Sequence, residues 1–217
     1  ILVLQPDIGM TLMVVLTWGF QMFLAGMPML LVICIVALAP LGLVVAYFTL
    51  GHVHKRINQF WEGGAWQVEK ARDSFANGGL FGVGPGDGTV KHHLPDAHSD
   101  FIFAVAGEEF GALACLTLLT LYAFIVLRGF SRAMSDEGLF CLIASASLLL
   151  QFGVQAAIHM ASSVHLIPTK GMTLPLISYG GSSLVASGLT MGLILALTRR
   201  RAPYVLPGRR NLQEASS

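Results

Sequence analysis

Charge is what this sequence has least of: Asp, Glu, Lys and Arg together make up 12% of its 217 residues, where an ordinary soluble domain carries about a quarter. With 54% hydrophobic residues and a mean hydropathy of +0.70, the scarcity excludes a disordered chain and an ordinary soluble globule, and leaves an integral membrane protein. An excess of one sign is missing too. The formal net charge is +1, without the basic surplus that a nucleic-acid footprint requires, so no nucleic-acid partner is expected. Cysteine is scarce and odd in number, and Cys34, Cys115 and Cys141 all lie in apolar runs. That excludes a disulfide framework and zinc spacing, and buried free thiols are expected.

Histidines are present but scattered. His52, His54, His92, His93, His98, His159 and His165 lack the i, i+4 pairing of a helical zinc motif. A divalent cation, Mg or Mn, is expected only in the form that carboxylates and phosphate oxygens hold together, which leaves little trace in sequence. No basic-flanked apolar segment marks a signal peptide, and the chain opens without Met on Ile1, so an N-terminally incomplete chain is expected. There is no internal repeat and no low-complexity tract.

What the sequence does have is apolar runs of bilayer length. A hydrocarbon core about 30 Å thick needs roughly 20 helical residues, and five segments approach this: Ile8–Gly26, Met29–Leu50, Phe101–Leu127, Gly138–Met160 and Ser182–Thr198. The fold class is therefore all-α, a polytopic integral membrane helix bundle with about five transmembrane helices. It reads as one membrane domain over 1–217, with a long extracytoplasmic loop at 51–100 and a cytoplasmic tail at 199–217. Pro40, inside the second run, predicts a kink covered by neighbouring helices. Orientation follows from Arg128 and Arg132 between the third and fourth runs and from Arg199, Arg200, Arg201, Arg209 and Arg210 in the tail, which the positive-inside rule places in the cytoplasm. Five basic residues between 51 and 100 oppose this assignment, but long loops weigh little in the rule.

The loop from 51 to 100 is too long for a connector. Trp61 and Trp66 read as interface anchors, Trp66–Ala76 has helical character, and Gly78, Gly79, Gly82, Gly84, Gly86 and Gly88 follow. The glycines permit either a loop that hugs its neighbours or a plain flexible one. They lack the strand and helix that would flank a phosphate-cradling turn.

Three places carry candidate chemistry. At Leu94-Pro95-Asp96-Ala97-His98-Ser99-Asp100, Ser99 or Asp100 is placed to cap the third helix, or Asp100 to act chemically where its face continues as Ala104, Gly107, Gly111 and Ala114. Glu108 and Glu109 lie about two turns inside the same run, where a carboxylate either joins a structural polar network or serves function. Between the last two runs, the segment from 166 to 183 is apolar, broken by Pro168, Pro175, Gly171, Gly180 and Gly181, and carries Lys170 as its only charge. This reads as a re-entrant segment, with Lys170 either snorkelling to the interface or holding an anionic headgroup. Gly188 and Gly192 form a helix-packing GxxxG.

Pro95–Gly111 (PDAHSDFIFAVAGEEFG) and Pro168–Ser183 (PTKGMTLPLISYGGSS) together resemble the SEDS family of shape, elongation, division and sporulation proteins. Gln5-Pro6-Asp7, Arg56, Phe60 and Gly78-Gly79-Leu80-Phe81-Gly82-Val83-Gly84 agree with it. The triplets Thr169-Lys170-Gly171 and Gly107-Glu108-Glu109 look like its division branch. The resemblance covers essentially the whole chain and maps it onto the last five of the family's ten spans. It implies a peptidoglycan glycosyltransferase that polymerises lipid II onto a growing glycan strand at the outer face of the bacterial cytoplasmic membrane, at the septum. The implied partners are a class B penicillin-binding transpeptidase and other division proteins.

The family's essential acid falls on Asp100, where Ser99 replaces the usual Thr. Lys170, Lys91 and Arg56 are then expected to hold pyrophosphate or its metal, His98 and Ser99 to flank the substrate, and Glu108, Glu109 and Asp96 to be secondary candidates. The stretch Trp61-Glu62-Gly63-Gly64-Ala65 is shorter than in relatives. A positioned carboxylate acting as base supplies roughly 10²- to 10⁴-fold, and displacement at an α-linked donor gives a β-linkage. A lipid flippase or transporter, or a non-catalytic scaffold of the division machinery, would show similar broken helices and intramembrane carboxylates.

Overall fold

The computed structural model describes residues 8–49, 51–61, 66–94, 96–135, 138–168 and 171–199. Among these there is no strand. The elements are α1 (Ile8–Leu24), α2 (Met29–Thr49), α3 (Gly51–Trp61), α4 (Trp66–Gly78), a 3₁₀ turn (Val90–His93), α5 (Ile102–Ala133), α6 (Leu139–Ser163) and α7 (Gly181–Leu197). Two of them, α5 and α6, are long and apolar enough to cross a membrane, and α7 is a shorter apolar helix. The helix starts agree with the apolar runs to within a residue. Their ends move more: α5 continues to Ala133 and takes Arg132 into its last turn, where a cation complements the negative helix end.

Chain reversal between α1 and α2 uses Gly26 at a φ of 94°, a conformation that costs a residue with a side chain and costs glycine nothing. Helix α2 continues through position 40 without interruption, so no helix break accompanies Pro40. Much of α2 is bare apolar surface, and Cys34 is exposed on it rather than buried; Cys115 alone of the three thiols is fully buried. The GxxxG also departs from expectation, since nothing approaches within 4 Å of where a Cβ on Gly188 or Gly192 would lie.

The core runs between α5 and α6. Phe103, Cys115 and Tyr122 pack against Phe152, Ala156 and Met160, and Leu174 joins them from the segment before α7. Among the described residues from 164 to 180 that segment has no helix. Where it is buried, its backbone polar groups need partners that water cannot supply. Side chains from the two long helices provide them: Tyr122 donates to the Pro175 carbonyl, Gln155 to Thr173 O at 3.0 Å and His159 Nδ1 to Met172 O at 2.7 Å.

The third span is not the continuous helix its apolar run predicts. Gly111 breaks α5 with φ 79° and ψ 179°, and the glycine loop fills the break. Val83 and Gly84 donate to the carbonyls of Glu108 and Glu109, each at 3.0 Å, while Ala112 and Leu113 donate to Gly79 O and Leu80 O at 2.9 and 3.3 Å. The glycines therefore serve close approach, and a loop of larger residues would not fit against the helix. Of the small-residue stripe, Ala104, Gly107 and Gly111 are buried and Ala114 is only half-buried. What approaches them is α4 and its following loop, with Phe75 over Gly107 and Leu80 over Gly111, and not another spanning helix.

Candidate active site around Asp100

Residues 96–100 form one turn before α5. Asp96 adopts φ 54°, and its carbonyl accepts from the amides of Ser99 and Asp100 at 3.1 and 2.9 Å and from the Ser99 hydroxyl at 3.3 Å. The N-cap position of α5 belongs to Phe101, and no side chain caps it. The capping alternative for Ser99 and Asp100 is thus not met, because the backbone of Asp96 has already organised the turn, and the Asp100 carboxylate is left available.

Two further bonds fix this turn to the broken segment before α7. The Ser178 hydroxyl donates to Ser99 O and accepts from the Leu174 amide, both at 2.7 Å, and the Tyr179 amide donates to His98 O at 2.9 Å. The two sequence motifs, separated by about seventy positions, thereby share one hydrogen-bond seam. Gly171 closes onto it: a Cβ there would lie 3.0 Å from Asp100 Oδ2. Partial burial raises the Asp100 carboxyl above the ordinary aspartate value, opposed by the Ser99 hydroxyl and reinforced by the charge of Asp96. Such a group is a better proton acceptor than a fully solvated aspartate.

Two cavities of about 500 Å³ are lined by neighbours of Asp100, the first by Gly171 and the second by Ser99. One is a largely apolar cavity between α1, α6 and α7 that reaches Gly171, Met172 and Thr173. The other is a polar depression lined by Lys91, His92, Asp96, His98, Ser99 and Tyr179.

The secondary acids have different duties. Glu108 is fully buried, and its carboxylate accepts from the amides of Thr89, Val90 and Lys91 at 2.8, 2.9 and 3.0 Å and from Asn77 Nδ2 at 2.9 Å. It is a structural clamp that binds the start of the 3₁₀ turn to α5. Glu109 forms an ion pair with Lys91, whose ammonium also donates to Gly86 O at 2.9 Å. Lys91, expected to help hold pyrophosphate or its metal, therefore has a carboxylate and a carbonyl as its partners. Lys170 lies outside the described residues, as does the side chain of Arg56, whose backbone belongs to α3. Ser178, Gln155, His159 and Tyr122 were not singled out by sequence; their only signal is a polar residue placed in or beside an apolar run.

Residues 1–202 match the cell cycle protein family described by FtsW, RodA and SpoVE. A probable peptidoglycan glycosyltransferase FtsW of Caulobacter vibrioides is 43% identical over 204 residues, 93% of this chain and 52% of that protein. The peptidoglycan glycosyltransferase RodA of Mycobacterium leprae is 32% identical over 91% of this chain and 44% of its own length. A solved structure from work on a peptidoglycan synthase complex that coordinates polymerization and crosslinking superposes with a TM-score of 0.71 at 27% identity, over 93% of this chain and 59% of the other. The chain spans about half the length of the curated relatives it matches.

Proposed function

This chain belongs to the cell cycle protein family of FtsW, RodA and SpoVE, the SEDS family whose motifs it carries, and from that premise we propose that it forms the part of a septal peptidoglycan glycosyltransferase that holds the catalytic base, Asp100. The observation that carries this reading is the position of the Asp100 carboxylate, uncapped and against Gly171, on the seam between the two motifs.

In the reaction, Asp100 takes the proton of the 4-hydroxyl of an N-acetylglucosamine on lipid II. The freed oxygen attacks C1 of the N-acetylmuramic acid at the end of the growing strand. The bond from C1 to undecaprenyl pyrophosphate breaks with inversion, and the pyrophosphate carries the electron pair away. Its charge needs cations. Lys170, next to Gly171 in sequence, and Arg56 are assigned to it; Lys91 is not, since Glu109 already holds it. Among the described residues no group of three or more His, Cys, Asp or Glu is arranged to hold a metal. A divalent cation would be held by carboxylates and pyrophosphate oxygens together, and no step above depends on one.

In this reading the five apolar helices span the bacterial cytoplasmic membrane, with the loop between α2 and α5 outside. A class B penicillin-binding transpeptidase and other division proteins are the partners. Purified full-length protein with its transpeptidase, supplied with lipid II, is expected to form glycan strands in a single-turnover assay. Translocation of lipid II headgroups across liposomes without strand formation would overturn the reading in favour of a flippase, and neither activity would favour a scaffold.

A further inference from the structure

Tyr179 is the least explained side chain near Asp100. It is 83% exposed, its hydroxyl makes no hydrogen bond among the described residues, and yet its backbone is fixed by the bond to His98 O at 2.9 Å and by the neighbouring Ser178 clamp. An isolated exposed aromatic needs no explanation, but this one lines a concavity of about 500 Å³, within the range of ligand pockets. The side chains of His92 and His98, on the same lining, also make no hydrogen bond among the described residues.

The chemistry of the lining selects its ligand. An anion is disfavoured, because Asp96 lines the depression and the ammonium on its lining, that of Lys91, is neutralised by Glu109. A flat apolar ligand would leave the histidines and Asp96 without partners. A pyranose fits both demands: one face presents C–H groups that pack on the negative face of an aromatic ring, and its rim presents hydroxyls and an acetamide to polar side chains. Ser99 belongs to this lining and Asp100 follows it directly in sequence, so a sugar here lies against the residue that precedes the carboxylate.

We propose that Tyr179 is the stacking platform for the N-acetylhexosamine of the acceptor, with His92, His98 and Asp96 around its rim. The assignment rests on the proposed function, whose acceptor it locates, and it separates the sugar in the polar depression from the pyrophosphate elsewhere.

The experiment uses the full-length protein in detergent, with N,N′-diacetylchitobiose as a soluble probe in saturation-transfer NMR and lipid II in steady-state polymerisation. Tyr179→Ala is expected to abolish transfer to the probe and raise KM for lipid II about tenfold with kcat nearly unchanged, as loss of one aromatic stacking contact predicts. Tyr179→Phe and Tyr179→Trp should remain within about twofold of wild type. Tyr179→Leu, which keeps apolar bulk without a π face, should behave as the alanine variant does with an unchanged melting temperature. Absence of probe binding to the wild type, retention of binding in Tyr179→Ala or Tyr179→Leu, or equal losses in the phenylalanine and alanine variants would each overturn the proposal. Probe binding does not require turnover. A wild type that binds the probe through Tyr179 while Asp100→Asn polymerises normally would sink the base assignment and leave the platform standing.

Discussion

Gly171 and Asp100 touch across the two motifs: a Cβ on the glycine would lie 3.0 Å from Oδ2 of the aspartate. The contact explains why a residue with no side chain follows Lys170, since any larger one displaces the carboxylate by a few tenths of an ångström. Gly171→Ala is therefore expected to lower polymerisation by about tenfold while leaving the melting temperature within a degree or so, because misplacing a reacting group is costly even when the fold absorbs the change. Lipid II polymerisation by the full-length variant, beside its thermal unfolding, checks this. Wild-type rates would mean that the position of the carboxylate is not critical.

Glu108 accounts for the order of the outer loop. Replacing it with Ala leaves the amides of Thr89, Val90 and Lys91 and the side chain of Asn77 without their acceptor, and the loss is expected to be about 3 kcal/mol. The measurement is thermal unfolding together with limited proteolysis of residues 79–93, which should become accessible in the variant. Glu108→Gln retains one acceptor oxygen and should lose less.

The Lys91–Glu109 pair is mostly buried, with 14% of each side chain exposed. If Lys91 serves Glu109 alone, Lys91→Glu combined with Glu109→Lys should restore much of the stability and polymerisation lost in either single charge reversal. Rescue of stability without rescue of activity would return Lys91 to the pyrophosphate.

The pH dependence follows from the raised Asp100 carboxyl. As base it works only ionised, so kcat/KM should rise with pH through a midpoint above that of an ordinary aspartate and then level off. Stability has the opposite sign: the folded form holds this proton at pH values where the unfolded form has released it. The contribution of Asp100 is then fully present below the unfolded pKa and is lost as pH rises through the folded one. Asp100→Asn should remove this stability change, and persistence of the full dependence in that variant would assign it to another group.

The apolar runs and the two motifs were legible because each depends on residues close together in sequence. The starts of α1, α2, α5, α6 and α7 fell within a residue of those runs. The break at Gly111 was not legible, since a glycine in an apolar run reads as helix packing, and its cause is a loop some thirty positions upstream. A structural polar network for Glu108 was legible but its partners were not, for a related reason: its carboxylate binds backbone amides, which every residue has. Asp100 could be found as an acid at a helix mouth, but the seam through Ser178 that distinguishes it from a cap exists only once the segment before α7 folds back onto the turn.

Glycan-strand formation from lipid II by full-length protein and its transpeptidase, comparing wild type with Asp100→Asn at matched folded concentrations, tests the assignment of Asp100 most directly. No side-chain cap is lost in Asp100→Asn and the desolvated charge is removed, so its melting temperature should be no lower than that of wild type and transpeptidase binding unchanged, while polymerisation falls by at least about 10²-fold, the contribution of a general base. Strand formation near the wild-type rate would contradict the assignment.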